Sequence, residues 1–150
     1  MAGEHRIEPD RADAALRTGG CQCGAVRYEI SGRPKALYVC HCRECQKQSA
    51  SAFGISLIVA GADLHLLQGD LGHWSRPTDS GKVLDCFFCP RCGSRLWHGD
   101  KERDATVSVK GGSLDVPLDL SEAVHIWTRR KLAGVTVPPG AVQFPGEPPE

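Results

Sequence analysis

Seven of the eight cysteines in this chain fall into three tight groups, and no other feature constrains its fold as strongly. Cys21 and Cys23 form C-x-C, Cys40, Cys42 and Cys45 form C-H-C-x-x-C, and Cys89 and Cys92 form C-P-x-C-G. Zinc takes four ligands in a tetrahedron, with thiolates about 2.3 Å from the metal, and a C-x-x-C turn brings two sulfurs to one point. Pro90 and Gly93 supply the turn geometry for the last pair. A chain of 150 residues can bury roughly 68–70% of its unfolded surface, so metal or disulfide staples are not obligatory for folding. The N-terminal run MAGEHRIEPDRADAALRTGG lacks the apolar core of a signal peptide. Eight cysteines in 150 residues also fall short of the roughly 8–10% typical of a secreted disulfide scaffold. A cytoplasmic, reducing setting is therefore expected, where clustered thiols hold a metal or do chemistry.

The ligand count divides these groups. Two pairs supply four thiolates, enough for one closed structural site, whereas a triplet supplies three and leaves one position for water or substrate. Spacing alone does not say which pairs share a metal. An opposing reading closes the second site with Cys86, three residues before Cys89, or with His41, which would make both sites structural. A redox role of the thioredoxin kind lacks the βαβ pattern it needs.

Around the cysteines the hydrophobic pattern has period two. Val26, Tyr28 and Ile30 alternate with Arg27 and Glu29 as a half-buried strand does. Further short strands are expected over 36–40, 53–59, 63–67, 83–88, 94–98, 105–109 and 123–128, and Gly-containing turns punctuate them. A helical turn is expected at 43–49, and a short helix at 9–17 with Asp10 as its cap. The organisation expected is an arm over 1–18, a zinc-binding β domain over 19–137 and a Pro-rich tail over 138–150, with five prolines in thirteen residues. The fold class is all-β, mainly antiparallel small sheets. Lys plus Arg balance Asp plus Glu at 18 each, and no dense basic block is present, which argues against nucleic-acid binding. No apolar run is long enough to cross a membrane. There is no Ser-His-Asp order, phosphate loop or dinucleotide fingerprint.

Three ordered motifs, Gly20-Cys21-Gln22-Cys23-Gly24-Ala25-Val26-Arg27-Tyr28, Cys40-His41-Cys42-Arg43-Glu44-Cys45 and Phe88-Cys89-Pro90-Arg91-Cys92-Gly93, together resemble the glutathione-dependent formaldehyde-activating enzyme family, which includes the centromere protein V type of zinc domain. The resemblance implies a β-tent fold, with small sheets folded around zinc. It implies a structural zinc on Cys21, Cys23, Cys89 and Cys92, and a second, catalytic zinc on Cys40, Cys42 and Cys45. The implied activity is carbon–sulfur lyase chemistry on glutathione, or related thiol, adducts of formaldehyde or another small carbonyl compound. The alternative is a non-catalytic zinc-stabilised binding module. Departures from the family pattern are Ala50 where glycine is common, Ala133-Gly134 where an aromatic is expected, and the additional Cys86. Arg27, Arg43 and Lys47 are candidates to hold glutathione carboxylates, since Arg offers a bidentate fork, although each taken singly reads as solvated charge. His41 reads as a solvent-facing spacer, and His98 and His125 as satisfied structural histidines. Phe53, Trp74, Trp97 and Trp127 read as core or pocket wall.

Overall fold

The computed structural model describes residues 16–149. Among these residues ten strands make two sheets: β1 (Arg17–Gly20), β2 (Arg27–Ile30) and β5 (Leu64–Gln68) form the smaller, in the order β1-β2-β5. The larger has seven strands, adding β3 (Ala36–Cys40), β4 (Gly54–Ala60), β6 (Gly72–Pro77), β7 (Val83–Phe88), β8 (Arg95–His98), β9 (Thr106–Lys110) and β10 (Val124–Ile126). Its order is β10-β3-β4-β9-β8-β7-β6. All pairings are antiparallel except β10 with β3, which is parallel. The all-β reading therefore holds, with a single α-helix among the described residues, α1 (Arg43–Ser49), at the expected helical turn.

Directly paired residues in a sheet point to the same side, so the register sorts the large sheet into two faces. Leu57, Val109 and Trp97 are cross-strand partners in one row, with Val59 opposite Val107 beside it. These side chains are almost fully buried, together with Tyr28, Ile30 and Leu64 from the small sheet and Val26 just before β2. Tyr28 meets Trp97 edge to face, with ring centroids 5.7 Å apart, and its hydroxyl shares a hydrogen bond with Ser113 Oγ at 2.6 Å. The two sheets are thus joined by an apolar layer with one satisfied polar anchor. The opposite face carries Cys40, Ser56, Ser108, Lys110, His98 and Cys86, placed there by the pairs Cys40–Gly54, Ser56–Lys110, His98–Ser108 and Cys86–His98. This second face forms the floor of the site.

Two strands were not anticipated. β1 starts within the segment read as an arm, and Arg17 lies in it rather than in a helix; the rest of the expected 9–17 helix, to residue 15, lies outside the described residues. β6 is the edge of the large sheet, and Trp74 on it is half exposed. The described part of the Pro-rich tail forms no strand but docks beside β10. His125 N–H donates to Val142 O and Phe144 N–H to His125 O, both at 2.9 Å. No helix among the described residues is long and apolar enough to cross a membrane.

Candidate metal centres and the cavity between them

The first cysteine group is built by two turns. Cys21 opens a turn closed by Cys21 N–H to Val26 O at 3.1 Å and Gly24 N–H to Cys21 O at 3.1 Å, with Gly24 at φ 84°. Cys89 opens a similar one through Gly93 N–H to Cys89 O at 2.8 Å, with Gly93 at φ 80°. A side chain would strain both glycines. The four sulfurs of Cys21, Cys23, Cys89 and Cys92 lie within 4.8 Å of one another, with Cys21–Cys23 at 3.6 Å and Cys23–Cys89 at 3.8 Å. A regular tetrahedron with bonds of about 2.3 Å has edges of about 3.8 Å. A disulfide would instead bring the sulfurs to about 2.05 Å. Val26 N–H donates to Cys21 Sγ at 3.2 Å and Arg91 N–H to Cys89 Sγ at 3.4 Å, contacts that stabilise thiolate charge. Hydrogen bonding from Ser94 holds the Cys92 thiol down at about 5, inside the range where a ligand thiolate is ready-made. The donor set fits a tetrahedral, thiophilic ion such as zinc.

The second group sits where β3 hands over to α1. Cys40 ends β3, Cys42 is the N-cap of α1, and Cys45 lies in its first turn. Cys45 N–H donates to Cys42 Sγ at 3.3 Å, so the capping hydrogen bond and the sulfur position are one contact. Thiol hydrogen bonds from Cys40 and Cys45 push the Cys42 thiol down to about 2, while those with Cys42 and Cys45 push Cys40 up. The three sulfurs lie within 4.8 Å of one another, and neither His41 nor Cys86 joins them. Cys86 is buried in β7 and accepts from Gln48 Nε2 at 3.5 Å instead. Three sulfurs grouped with no fourth protein donor among the described residues could hold a zinc ion, and one of them, Cys45, lines the cavity described below.

His41 is not solvent-facing as expected; it is fully buried. The parallel β3–β10 pair places it against His125, whose Nδ1 lies 2.9 Å from His41 Nε2, and its ring also packs on Phe53. Gln46 fastens the base of α1 to this layer, donating to His41 O at 2.8 Å and Arg130 O at 3.0 Å. His125 is a satisfied structural histidine, as expected. His98 is not: it is 6% exposed, and its Nε2 is buried with no partner. Burial, reinforced by Lys110, Arg95 and Arg76, holds its imidazole down at about 2, hence neutral.

A cavity of about 940 Å³ connects the two centres. Cys45, Phe53, Gly54 and Ile55 line one end, Cys21, Cys92 and Ser94 the other, and His98, Arg95 and Lys110 lie among the remaining lining residues. Of the three basic candidates, only Arg27 lines it, and its guanidinium is paired with Asp115. Arg43 is turned to Gln46, and Lys47 is not part of the lining. Arg95 was missed as a candidate, and its Nη1 is buried without a partner. Trp97 is core, whereas Trp127 lies outside the cavity, donating to Glu147 at 2.7 Å under the Arg129 guanidinium. Ala50, which also lines the cavity, takes φ 52° and caps α1 in the left-handed region. Its departure from glycine therefore falls where glycine is favoured.

The chain matches the family described as "Glutathione-dependent formaldehyde-activating enzyme" over residues 16–130. A curated protein of Halomonas elongata named "Putative glutathione-dependent formaldehyde-activating enzyme" is 29% identical over 127 residues, covering 77% of each chain. A crystal structure of a Rhodobacter sphaeroides protein shares the fold at a TM-score of 0.51 and 21% identity, covering 84% of this chain and 97% of that one.

Proposed function

The chain belongs to the glutathione-dependent formaldehyde-activating enzyme family, and from that premise we propose that it is a zinc-dependent carbon–sulfur lyase acting on adducts between glutathione, or a related thiol, and formaldehyde or another small carbonyl compound. The observation that carries this reading is the three-sulfur cluster of Cys40, Cys42 and Cys45, with no fourth protein donor among the described residues, opening through Cys45 into the cavity. Zinc held there would act as a Lewis acid that keeps a coordinated substrate thiol ionised near neutral pH. Zinc held by Cys21, Cys23, Cys89 and Cys92 is structural, tying the β1–β2 turn to the β7–β8 turn.

The residues of the chain do the rest. Three thiolates leave the centre with one net negative charge, which suits handling a thiol better than polarising an ester or amide. Phe53 and Ile55 give the reacting end an apolar wall that limits water. Arg95, with an uncommitted buried Nη1, is the strongest partner in the lining for a carboxylate of a thiol peptide, ahead of Arg27, which Asp115 already engages. In the forward direction the sulfur lone pair forms the C–S bond and the C=O π pair moves to oxygen. A proton from water completes the hydroxyl, leaving hydroxide. The reverse sequence releases the carbonyl compound.

The test is exchange of S-hydroxymethylglutathione with glutathione and formaldehyde, followed by NMR on zinc-loaded protein. Exchange faster than the uncatalysed rate, lost in Cys42→Ala while one zinc is retained, is the expected result. Brisk ester hydrolysis with no effect on the thiol adduct would refute the reading.

A further inference from the structure

The floor beneath the three-cysteine centre holds polar groups that neither the fold nor the metal explains. Lys110 ends β9 on the site face and lines the cavity with Cys45; burial opposes the charge on its ammonium, and the neighbouring cysteine sulfurs favour it. It donates to Ser56 Oγ and Ser108 Oγ, both at 3.1 Å, which leaves one of its three N–H groups uncommitted. Ser108 is the cross-strand partner of His98, and directly opposed residues bring their Cβ atoms to about 4.5–5.5 Å. The ammonium, anchored on Ser108, thus lies beside the imidazole. His98 Nε2 is buried without a partner, and both residues line the cavity with Cys45.

A buried polar atom without a partner costs about 1–3 kcal/mol; His98 Nε2 is one, and Lys110 Nζ, bonded to both serines, has a third N–H to offer in the same cavity lining. The ammonium offers a donor, and a neutral imidazole next to an ammonium turns its lone pair toward it. A hydroxyl satisfies both at once, accepting from the cation and donating to the ring. Neither a hydrocarbon nor a second cation does so.

We propose that Lys110 and His98 form an oxygen subsite that takes the hydroxyl of the substrate adduct, with Lys110 Nζ donating to the oxygen and His98 Nε2 accepting the hydroxyl proton. This rests on the thiol-adduct reading above and deepens it. The same Lys110 N–H meets the carbonyl oxygen before addition and the growing negative charge on it during addition, a charge that a fixed donor stabilises more than it does the neutral carbonyl. The subsite selects hydroxyl-bearing adducts, and hence aldehydes able to form them, over thioethers of the same size.

The test needs no turnover. In cobalt-substituted protein, thiol ligation is read from the change in thiolate-to-cobalt absorption, and 2-mercaptoethanol is compared with 1-propanethiol, a thiol of similar size without the hydroxyl. Wild type should bind 2-mercaptoethanol about tenfold more tightly than 1-propanethiol. That preference should vanish in Lys110→Met and in His98→Phe and return in part in His98→Gln, which restores an acceptor. The ratio of the two thiols cancels any general effect of the lost lysine charge on thiolate binding. Lys110→Met suits a buried position, so it provides a folded variant if His98→Phe does not fold. A wild type without the preference, or a Lys110→Met protein that keeps it, overturns the proposal. If the preference is present but glutathione adducts are not exchanged, the glutathione reading fails and the oxygen subsite stands. If exchange occurs without the preference, the subsite alone fails.

Discussion

Acid should destabilise this protein through His98, by an amount that can be worked out. The ring is 6% exposed, and burial is the largest cause of its folded pKa falling from 6.5 to about 2. The unfolded chain therefore binds a proton that the folded chain refuses between those two values. A folded pKa below the unfolded one gives stability that is present above pH 6.5 and lost as the pH falls. Integrating the linkage relation from about pH 7.5 to about pH 5 gives a loss of about 2 kcal/mol from this one residue. Other groups contribute too, since burial also lowers His41 and His125, and acid protonates ligand thiolates. The comparison that isolates His98 is therefore with His98→Gln, which has similar bulk and does not titrate. Urea unfolding of zinc-loaded wild type and variant at the two pH values should show wild type losing about 2 kcal/mol more than the variant. Equal losses would mean that the ring is hydrated or charged in the folded state, and the account of a neutral, desolvated floor would be wrong.

The two metal centres should separate by mutation. Cys89→Ser should lower the urea midpoint of zinc-loaded protein and release the first zinc, because structural zinc binding is itself folding free energy. Cys42→Ala should lower zinc content by about one ion per chain and leave the circular dichroism spectrum unchanged. Gly54→Ala would bring a Cβ to 3.2 Å from Cys45 Cβ and 3.4 Å from its Sγ. A few tenths of an ångström at a ligand should weaken zinc at the second centre about 10–100-fold, measured by chelator competition, with the first centre unaffected. Ala50→Gly should raise stability by about 1 kcal/mol in urea unfolding, because the residue sits at φ 52°.

What could be read from the chain was what lies close along it. Each cysteine group is a local turn, and α1 is seven residues with its cap inside the C-H-C-x-x-C motif, so spacing and alternation found both. β3 and β7 were expected with the bounds observed, because ALYVC and VLDCFF are compact apolar runs. β1 and β6 escaped because their signals are not apolar. RTGG carries no large apolar side chain to alternate, and a Cβ on Gly19 would lie 2.5 Å from the Tyr28 hydroxyl, so the strand exists by fitting under that ring. GHWSRP is an edge strand with most of its residues exposed.

The floor of the site illustrates a deeper limit. In TVSVK, alternation separates Val107 and Val109 from Ser108 and Lys110 but does not say whether the polar face meets water or a cavity. That is decided by partners far along the chain: Ser56 opposite Lys110, and His98 opposite Ser108. The same holds for His41, which sits between two ligands and reads as a spacer until the parallel pairing of β3 with β10 brings His125 to it. Metal-binding residues recur at short spacing because one turn must deliver two sulfurs. Residues that recognise the rest of a substrate are under no such constraint, since any strand of the sheet can deliver one. Sequence spacing therefore exposes the candidate metal centres of such a chain and conceals the residues proposed to recognise substrate, and Lys110, His98 and Arg95 become visible only through register and unsatisfied hydrogen bonds.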